Sequence, residues 1–255
     1  MTTSTTQELN TDPAAFEIEG YVVVRGLLTP SEADGAYASF DEISAVGVSG
    51  ERESGNERTL ARVPLMLDAL TRPRLHAALE PVFGDDLQLL SYDSLETAPH
   101  GGRSRDWHAD FGFRAPVTLS ANVGLYLQDM TDDVGPLHVV PGSHRWDSGP
   151  TEGQRHEPIE GERKVPLTAG DAVVFDAQLW HTGSRNETDR PRRAVFAYFG
   201  RYWMKRMDAY YETPLPDSIT GSEASPLLRQ LFGIQAPASP SVHGADYRSD
   251  NPRWR

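Results

Sequence analysis

Between positions 87 and 203 the sequence is a series of short apolar segments separated by glycine, proline, aspartate and asparagine. Short apolar runs that end at such turn residues are typical of β-strands. The predicted strands are residues 87–95, 117–130, 137–140, 164–167, 172–175 and 193–203. Many short strands in one stretch favour an antiparallel sandwich or barrel, and no repeat of fixed period is visible.

The sequence before this stretch has a different character. Residues 20–28 are β-branched and apolar and predict one buried strand. Thr29, Pro30 and Glu32 then supply an N-cap, a proline at the first helical position and a glutamate three residues after the cap, which together predict the start of a helix. Two further helices are expected near residues 60–70 and 74–83. We therefore expect helices packed on the outside of the strands.

The 255 residues are expected to form a single domain. We expect residues 1–15 to be a flexible tail, residues 16–86 to be mostly helical support, and residues 87–203 to form a β-barrel core. The proline-rich residues 204–255 predict an irregular C-terminal segment, and the sequence leaves open whether that segment covers the mouth of the barrel.

Composition excludes several classes of function. The chain has no cysteine, so it can form neither a disulfide nor a thiolate metal site, and any metal must be bound by nitrogen and oxygen. Its net charge of −13 repels phosphate backbones and anionic lipids, which argues against nucleic-acid and membrane partners. Because the sequence shows neither a signal peptide nor a long apolar run, a cytoplasmic location is expected. The oligomeric state stays open.

A possible metal site lies at His108 and Asp110. These residues are two positions apart, so in extended backbone both side chains point to the same face and can bind one ion. His181 can add a second imidazole if the fold brings it close. Two imidazoles and one carboxylate, with other positions open, suit non-haem Fe(II). A His-x-Asp triplet also arises as a surface pair, so its surroundings must decide between the two interpretations.

Three surrounding features favour the metal site. A strand with turn residues at both ends occupies residues 135–144, between the two halves of the site. A tight turn at Gly170 and Asp171 begins a strand that leads to His181. Beyond that histidine, Arg192 and Arg193 begin another strand, where a planar guanidinium can bind a carboxylate with two hydrogen bonds.

With these elements in this order, residues 20–203 resemble the phytanoyl-CoA dioxygenase family of Fe(II)- and 2-oxoglutarate-dependent oxygenases. The matching motifs are Trp-His-x-Asp at 107–110, Gly-Pro-Leu-x-Val-Val-Pro-Gly-Ser-His at 135–144, Gly-Asp-x-Val-x-Phe at 170–175 and His-(x)4-Asn-x-Thr-(x)3-Arg at 181–192. The resemblance implies a mainly β fold with flanking helices: a double-stranded β-helix, which is a cupin-like jelly-roll barrel, with iron at one mouth.

The resemblance also implies roles for single residues. His108, Asp110 and His181 are the expected catalytic iron ligands, with O2 as the further ligand. Arg192 is expected to bind the distal carboxylate of 2-oxoglutarate, while Arg193 faces the opposite way because neighbours on a strand alternate.

Further contacts to the cosubstrate are expected from Thr182, Ser184 and Asn122. Many relatives carry a serine two residues after the distal histidine, where this chain has Gly183, so the second contact to the distal carboxylate stays open. Several relatives carry tryptophan where Gly124 falls, which predicts a roomier pocket.

The expected substrate-facing residues flank the ligands or line the barrel. Trp107 and Phe111 adjoin the ligands, Tyr126 lies on a barrel strand, and Arg105 is placed to meet an anionic substrate, although a solvated loop is the alternative for Arg105.

Asp110 separates this chain from related halogenases, which replace that carboxylate with a small residue so that chloride can bind.

The resemblance implies a dioxygenase that hydroxylates a small organic molecule, with release of succinate and CO2. A molecule of secondary metabolism or a modified amino acid is the preferred substrate, and the sequence does not identify it. The same iron centre can instead catalyse desaturation, cyclisation, epimerisation or endoperoxidation. A non-redox barrel that binds metal or small ligands is the second alternative, and the presence of all three ligands and Arg192 argues against it.

Overall fold

Two antiparallel sheets form the body of the protein, seen in a computed structural model that describes residues 11–44, 60–61, 63–112, 114–206 and 215–237. The strands in this part of the chain are β1 (Tyr21–Val24), β2 (Leu87–Thr97), β3 (Ser120–Tyr126), β4 (Leu137–Val139), β5 (Arg163–Val165), β6 (Ala172–Asp176), β7 (His181–Thr182) and β8 (Arg192–Arg201). The larger sheet has the order β1-β6-β3-β8-β2, and the smaller has the order β5-β4-β7.

Helices precede and follow the strands. They are α1 (Phe16–Glu19), α2 (Pro30–Ala38), α3 (Phe40–Ser44), α4 (Pro64–Thr71), α5 (Pro73–Phe83), α6 (Asp217–Thr220) and α7 (Pro226–Leu231), with short 3-10 helices at Pro13–Ala15 and Ser143–Arg145. The start of α2 is the predicted one: the hydroxyl of Thr29 accepts a hydrogen bond from the Glu32 amide, and the Glu32 carboxylate accepts one from the Thr29 amide. None of the helices in the described part of the chain has both the length and the apolar character of a membrane span.

The two faces of the larger sheet pack against different partners, because side chains alternate along each strand. On one face, Val22 and Val174 pack with helical residues such as Leu70 and Leu79. On the other face, Tyr21 and residues of β3, β6 and β8 pack against the smaller sheet through Leu137, Val139 and Val165. The result is a layer of helices, a five-stranded sheet and a three-stranded sheet, which is a jelly-roll arrangement.

The predicted fold class is therefore confirmed, and the predicted helices near 60–70 and 74–83 correspond to α4 and α5. The described strands do not close into a continuous barrel, since they belong to two separate sheets that each keep two edge strands. The first predicted strand, residues 20–28, is shorter than expected. It ends at Val24 because the chain turns at Gly26, where φ is +57°.

Both ends of the chain were predicted to be irregular. Residues 1–10 of the predicted tail lie outside the described residues, whereas Pro13–Ala15 form a 3-10 helix. Near the other end, Ile219, Leu231 and Phe232 are buried in the same core as α4 and α5. Residues 215–237 thus pack on the helical side of the larger sheet, away from the smaller sheet.

The turn that begins β6 is fixed by Gly170 and Asp171. A Cβ at position 170 would lie 2.3 Å from the Leu28 carbonyl oxygen, and φ there is +87°, so only glycine fits. The buried Asp171 carboxylate accepts hydrogen bonds from the backbone amides of Gly26 (2.8 Å) and Thr168 (2.9 Å). Burial alone would raise the pKa of Asp171, but these bonds and an ion pair with Arg25 hold the pKa below its usual value.

We expect Asp171→Asn to lower the free energy of unfolding by about 2 kcal/mol near neutral pH, because hydrogen bonds to a charged group are lost. The folded-state pKa is depressed, so the stabilisation is present above the unfolded pKa of about 3.9 and disappears as the pH falls through the folded value. Urea denaturation of both proteins across this range should show their difference shrinking in acid. The exposed Asp34→Asn is the matched control and should change stability by less than about 0.5 kcal/mol. A constant difference at all pH values would contradict this account of Asp171.

Candidate active site

The three predicted metal ligands come together in the fold. One ligand atom of each of His108, Asp110 and His181 lies within 4.8 Å of the other two. The Nε2 atoms of His108 and His181 are 3.6 Å and 3.5 Å from Asp110 Oδ1, respectively. His181 is on β7, and the other two residues precede β3. Distant parts of the sequence thus supply two imidazoles and one carboxylate to the same place.

A backbone bridge holds the two histidines side by side. The His108 amide donates to the His181 carbonyl at 3.1 Å, and the His181 amide donates to the His108 carbonyl at 3.0 Å. Directly paired residues of antiparallel strands have neighbouring Cβ atoms on the same side, so both imidazoles face the same way. Asp110 lies two residues after His108, and its carboxylate is close to both imidazoles.

The ring nitrogens of both histidines have defined roles. His108 Nδ1 is 2.7 Å from the Asp106 carbonyl oxygen, and His181 Nδ1 is 3.0 Å from the Leu179 carbonyl oxygen. A carbonyl can only accept, so each Nδ1 carries the hydrogen and each Nε2 keeps a free lone pair. Burial lowers the pKa of His181, which favours the neutral form that binds a metal. This donor set fits a divalent ion held by nitrogen and oxygen.

Asn122 on β3 supports the carboxylate of Asp110. Its Nδ2 donates to Asp110 Oδ2 at 3.0 Å, which leaves Asp110 Oδ1 facing the histidines. Asn122 Oδ1 is buried and accepts no hydrogen bond from the described residues. An unsatisfied acceptor beside the three ligands indicates a place for a hydrogen-bond donor, such as water bound to a metal.

A partly buried cation lies on the same inner face of the larger sheet. Arg192 begins β8, and its Nη1 donates to the carbonyl oxygens of Gly135 and Ser184, the latter at 2.7 Å. Its partners among the described residues are backbone carbonyls and the Thr97 hydroxyl, with no carboxylate, and burial lowers the pKa of Arg192. A partly buried charge without a carboxylate partner suits the carboxylate of a ligand.

Arg193 points to the opposite side, as the alternation predicts. Its guanidinium pairs with Glu96 at 2.8 Å and with Asp41 at 3.0 Å, and it stacks on the ring of Phe40. These contacts belong to the face that packs on the helices. Among the described residues, Arg193 therefore has two carboxylate partners for its charge, whereas Arg192 has none.

The hydroxyl groups expected to touch the cosubstrate are already bonded to the backbone. Thr182 Oγ1 accepts from the Asp106 amide at 2.7 Å and donates to the Gly183 carbonyl at 2.9 Å. Ser184 Oγ donates to the Pro136 carbonyl at 3.1 Å. In this conformation both side chains hold loops in place next to the ligands.

A cavity of about 520 Å³ opens beside His108. Its walls come from the segment after the first ligand and from residues 147–155: they are Trp107, His108, Ala109, Phe111, Gly112, Arg114, Asp147, Ser148, Gly149, Pro150, Glu152 and Arg155. Of the residues predicted to contact substrate, Trp107 and Phe111 belong to this wall. Trp107 is nevertheless fully buried, with its indole N–H donating to the Glu157 carbonyl, so its main role is to hold the wall.

Tyr126 and Arg105 do not line this cavity. Tyr126 is buried between the two sheets, where its ring meets Phe196 edge-on at 6.2 Å. Arg105 pairs with the half-buried Glu162 at 2.7 Å. Contact of either residue with a substrate stays a prediction.

The inner face of β8 contains residues that the motifs did not single out. The expected room at Gly124 is absent, because Phe196 pairs with Gly124 across the strands and a Cβ there would lie 2.9 Å from its ring. Tyr198 pairs with Asn122, and its hydroxyl is 2.8 Å from Ser120 Oγ; burial raises the pKa of Tyr198 to about 12. The alternation that places Arg192 inside places these two aromatic residues inside as well.

The comparisons agree with this fold. Residues 16–194 match the family described as Phytanoyl-CoA dioxygenase (PhyH), so the chain belongs to the phytanoyl-CoA dioxygenase family. It is 28% identical over 181 residues to dioxygenase andF of Emericella variicolor, which covers 66% of this chain and 60% of that protein. The chain therefore spans less than two thirds of the length of this relative.

Two further matches cover a larger share of the length of the similar protein. The ectoine dioxygenase of Nocardia farcinica is 24% identical over an alignment of 259 positions, gaps included, that covers 84% of this chain and 85% of that one. A crystal structure of the epimerase SnoN in complex with Fe3+, alpha ketoglutarate and nogalamycin RO is 25% identical, with a TM-score of 0.59 over 74% of this chain and 82% of that chain. These findings confirm the predicted family and fold, and the names of the relatives agree with the predicted class of enzyme.

We expect Asn122→Ala to weaken the binding of a divalent ion by about tenfold to a hundredfold, because the outer oxygen of Asp110 would lose its hydrogen bond. Titration of the metal-free protein with Co(II), followed by its visible absorption, measures this affinity. Ser94→Ala, at a buried polar residue on β2, is a control for general effects of truncation. Equal affinity of wild type and Asn122→Ala would show that Asn122 does not support the ligand.

Proposed function

We propose that the protein is an Fe(II)- and 2-oxoglutarate-dependent dioxygenase that hydroxylates a small organic molecule. In this reaction a C–H bond, O2 and 2-oxoglutarate yield a C–OH group, succinate and CO2. One observation carries the proposal: three metal-binding atoms converge, and a partly buried arginine with no carboxylate partner among the described residues lies on the same inner face. A site for a metal ion alone needs only the three convergent ligands, whereas a site for a dicarboxylate that chelates the metal also needs the arginine.

His108, Asp110 and His181 would bind the iron in this proposal. Bound iron would supply the activation of O2 that a protein side chain cannot provide. The residues of the chain bind and orient the reactants. Hydrogen bonds from the two Nδ1 atoms fix the imidazole planes, and Asn122 fixes the Asp110 carboxylate.

Arg192 would bind the distal carboxylate of 2-oxoglutarate. The space between the sheets on this side is closed by apolar side chains, among them Tyr126, Val139 and Phe196. Exclusion of water strengthens the attraction between a buried guanidinium and a carboxylate. It also limits side reactions of the oxidant with solvent.

The cavity beside His108 would hold the substrate. Its volume of about 520 Å³ and its mixture of acidic, basic and aromatic lining residues suit a small polar molecule. The relative from Nocardia farcinica, named as an ectoine dioxygenase, is consistent with a substrate of this size. An acidic chain is a poor host for a polyphosphate such as coenzyme A, so we place the substrate among small metabolites, including those of secondary metabolism.

A different oxidative outcome at the same centre is the second candidate. The similarity to SnoN, described as an epimerase, favours it, because the same iron chemistry can invert a carbon in place of adding oxygen. Mass spectrometry of the product separates the two: hydroxylation adds one oxygen atom, whereas epimerisation leaves the mass unchanged.

The dioxygenase proposal predicts that the protein, supplied with Fe(II), 2-oxoglutarate and a panel of small metabolites, releases succinate only in the presence of oxygen. His108→Ala and Asp110→Ala should reduce this release to the background level, because each removes a ligand. His100→Ala is the matched control, since that histidine is exposed and pairs with the exposed Asp189 and not with any of the three ligands. Full activity of a ligand variant would show that the iron ligands are misassigned. Absence of succinate with every candidate substrate would leave the non-redox binding protein as the better interpretation.

Arg192→Ala is expected to raise the KM for 2-oxoglutarate by about tenfold or more, because a hydrogen-bonded charge pair is lost. Arg193→Ala should leave this KM almost unchanged while it lowers the melting temperature, since Arg193 links β8 to Glu96 and Asp41. Succinate release at varied 2-oxoglutarate concentration and thermal unfolding provide the two measurements. Equal increases of KM in both variants would refute the choice of Arg192.

A further inference from the structure

A hydroxyl group from another strand lies beside Arg192. Thr97 is the last residue of β2 and pairs directly with Arg192 in the register between β2 and β8. Its Oγ1 accepts a hydrogen bond of 3.0 Å from Arg192 Nη2. The position results from the sheet, because directly paired residues on neighbouring strands point to the same face.

The hydroxyl hydrogen of Thr97 is available. Among the described residues it is donated to no acceptor, whereas the hydroxyls of Thr182 and Ser184 are both donated to backbone carbonyls. Gly183, between Thr182 and Ser184, has no hydroxyl to offer. Thr97 is therefore the hydroxyl in this part of the described structure that touches Arg192 and still has a hydrogen to donate.

The donors of Arg192 leave room for a ligand next to Thr97. Nη1 uses both of its hydrogens on the carbonyls of Gly135 and Ser184, and Nη2 uses one on Thr97. A guanidinium has five N–H donors, so one on Nε and one on Nη2 remain for a carboxylate. A carboxylate oxygen bound to Nη2 lies close to the hydroxyl that shares this nitrogen.

We propose that Thr97 donates the second hydrogen bond to the distal carboxylate of 2-oxoglutarate, in place of the hydroxyl that position 183 lacks. This assignment rests on the proposed function, and it makes Thr97 a residue that binds the cosubstrate. Thr97 both accepts from the guanidinium and donates to the carboxylate. It thus links the two charged partners.

The surroundings of Gly183 allow the proposal to be tested by moving the hydroxyl group from Thr97 to position 183. A Cβ at position 183 would lie 3.6 Å from Arg192 Nη2 and would have no other heavy atom beyond its chain neighbours within 4 Å. A serine therefore fits there without displacing another group. Its hydroxyl would approach the same guanidinium nitrogen from β7 that Thr97 approaches from β2.

The experiment measures the affinity for 2-oxoglutarate by calorimetry, with protein loaded with Mn(II) and kept free of oxygen so that no turnover occurs. Thr97→Val removes the hydroxyl with little change of shape and should weaken binding by about tenfold, the cost of one hydrogen bond to a charged group. Thr97→Ser should bind like the wild type. The double variant Thr97→Val with Gly183→Ser should recover most of the lost affinity.

Two controls separate a contact with the carboxylate from a general effect. Thr71→Val, which removes an exposed hydroxyl on α4, should bind 2-oxoglutarate like the wild type. Pyruvate lacks the distal carboxylate, so its affinity should be the same in the wild type and in Thr97→Val.

The remaining outcomes overturn the assignment. Wild-type affinity in Thr97→Val would remove Thr97 from the site, and an equal loss for pyruvate, or no recovery in the double variant, would make its role structural. If neither the wild type nor any variant binds 2-oxoglutarate, the proposed function itself fails, which is a different result.

Discussion

The site depends on a pair of reciprocal backbone hydrogen bonds between His108 and His181. These two bonds join a loop to a two-residue strand and place both imidazoles on one side. Each Nδ1 is bonded to a backbone carbonyl, which fixes the orientation of each ring and leaves Nε2 to face Asp110. Ligands whose orientations are fixed in this way by the protein form a precise site for a metal ion.

Residues next to the ligands serve mainly to hold this bridge. The backbone amide of Trp107 donates to the carbonyl of Arg155, while its buried indole donates to Glu157. On the other strand, Thr182 accepts a hydrogen bond from the amide of Asp106. Arg155 also belongs to the wall of the cavity beside His108. The shape of the cavity and the geometry of the ligands are therefore linked through a few backbone bonds.

Much of this could be predicted from the sequence, because the patterns involved are local. The capping residues at Thr29, the short apolar segments and the alternation that separates Arg192 from Arg193 each depend on neighbours along the chain. The partners of Arg105 and Thr182 could not be predicted, since Glu162 and Asp106 reach them only through the fold. A hydroxyl or guanidinium group that is close in sequence to a metal ligand is expected to lie near the site. Its long-range contacts decide whether it is free to bind a substrate or cosubstrate.

Two glycines on the inner side of the sheets, Gly124 and Gly183, are each complemented by a residue from another strand. At Gly124 the volume of a missing side chain is filled by Phe196, which pairs with it from the next strand. At Gly183 a missing hydroxyl has its counterpart in Thr97, which reaches Arg192 from β2. Side chains of paired strands lie about 5 Å apart, so a group needed at one point inside the sheets can be supplied from either side. A motif read along one strand records only one of these sources. The residues that pair with a glycine in such a motif should therefore be considered before the glycine is interpreted as a loss of function.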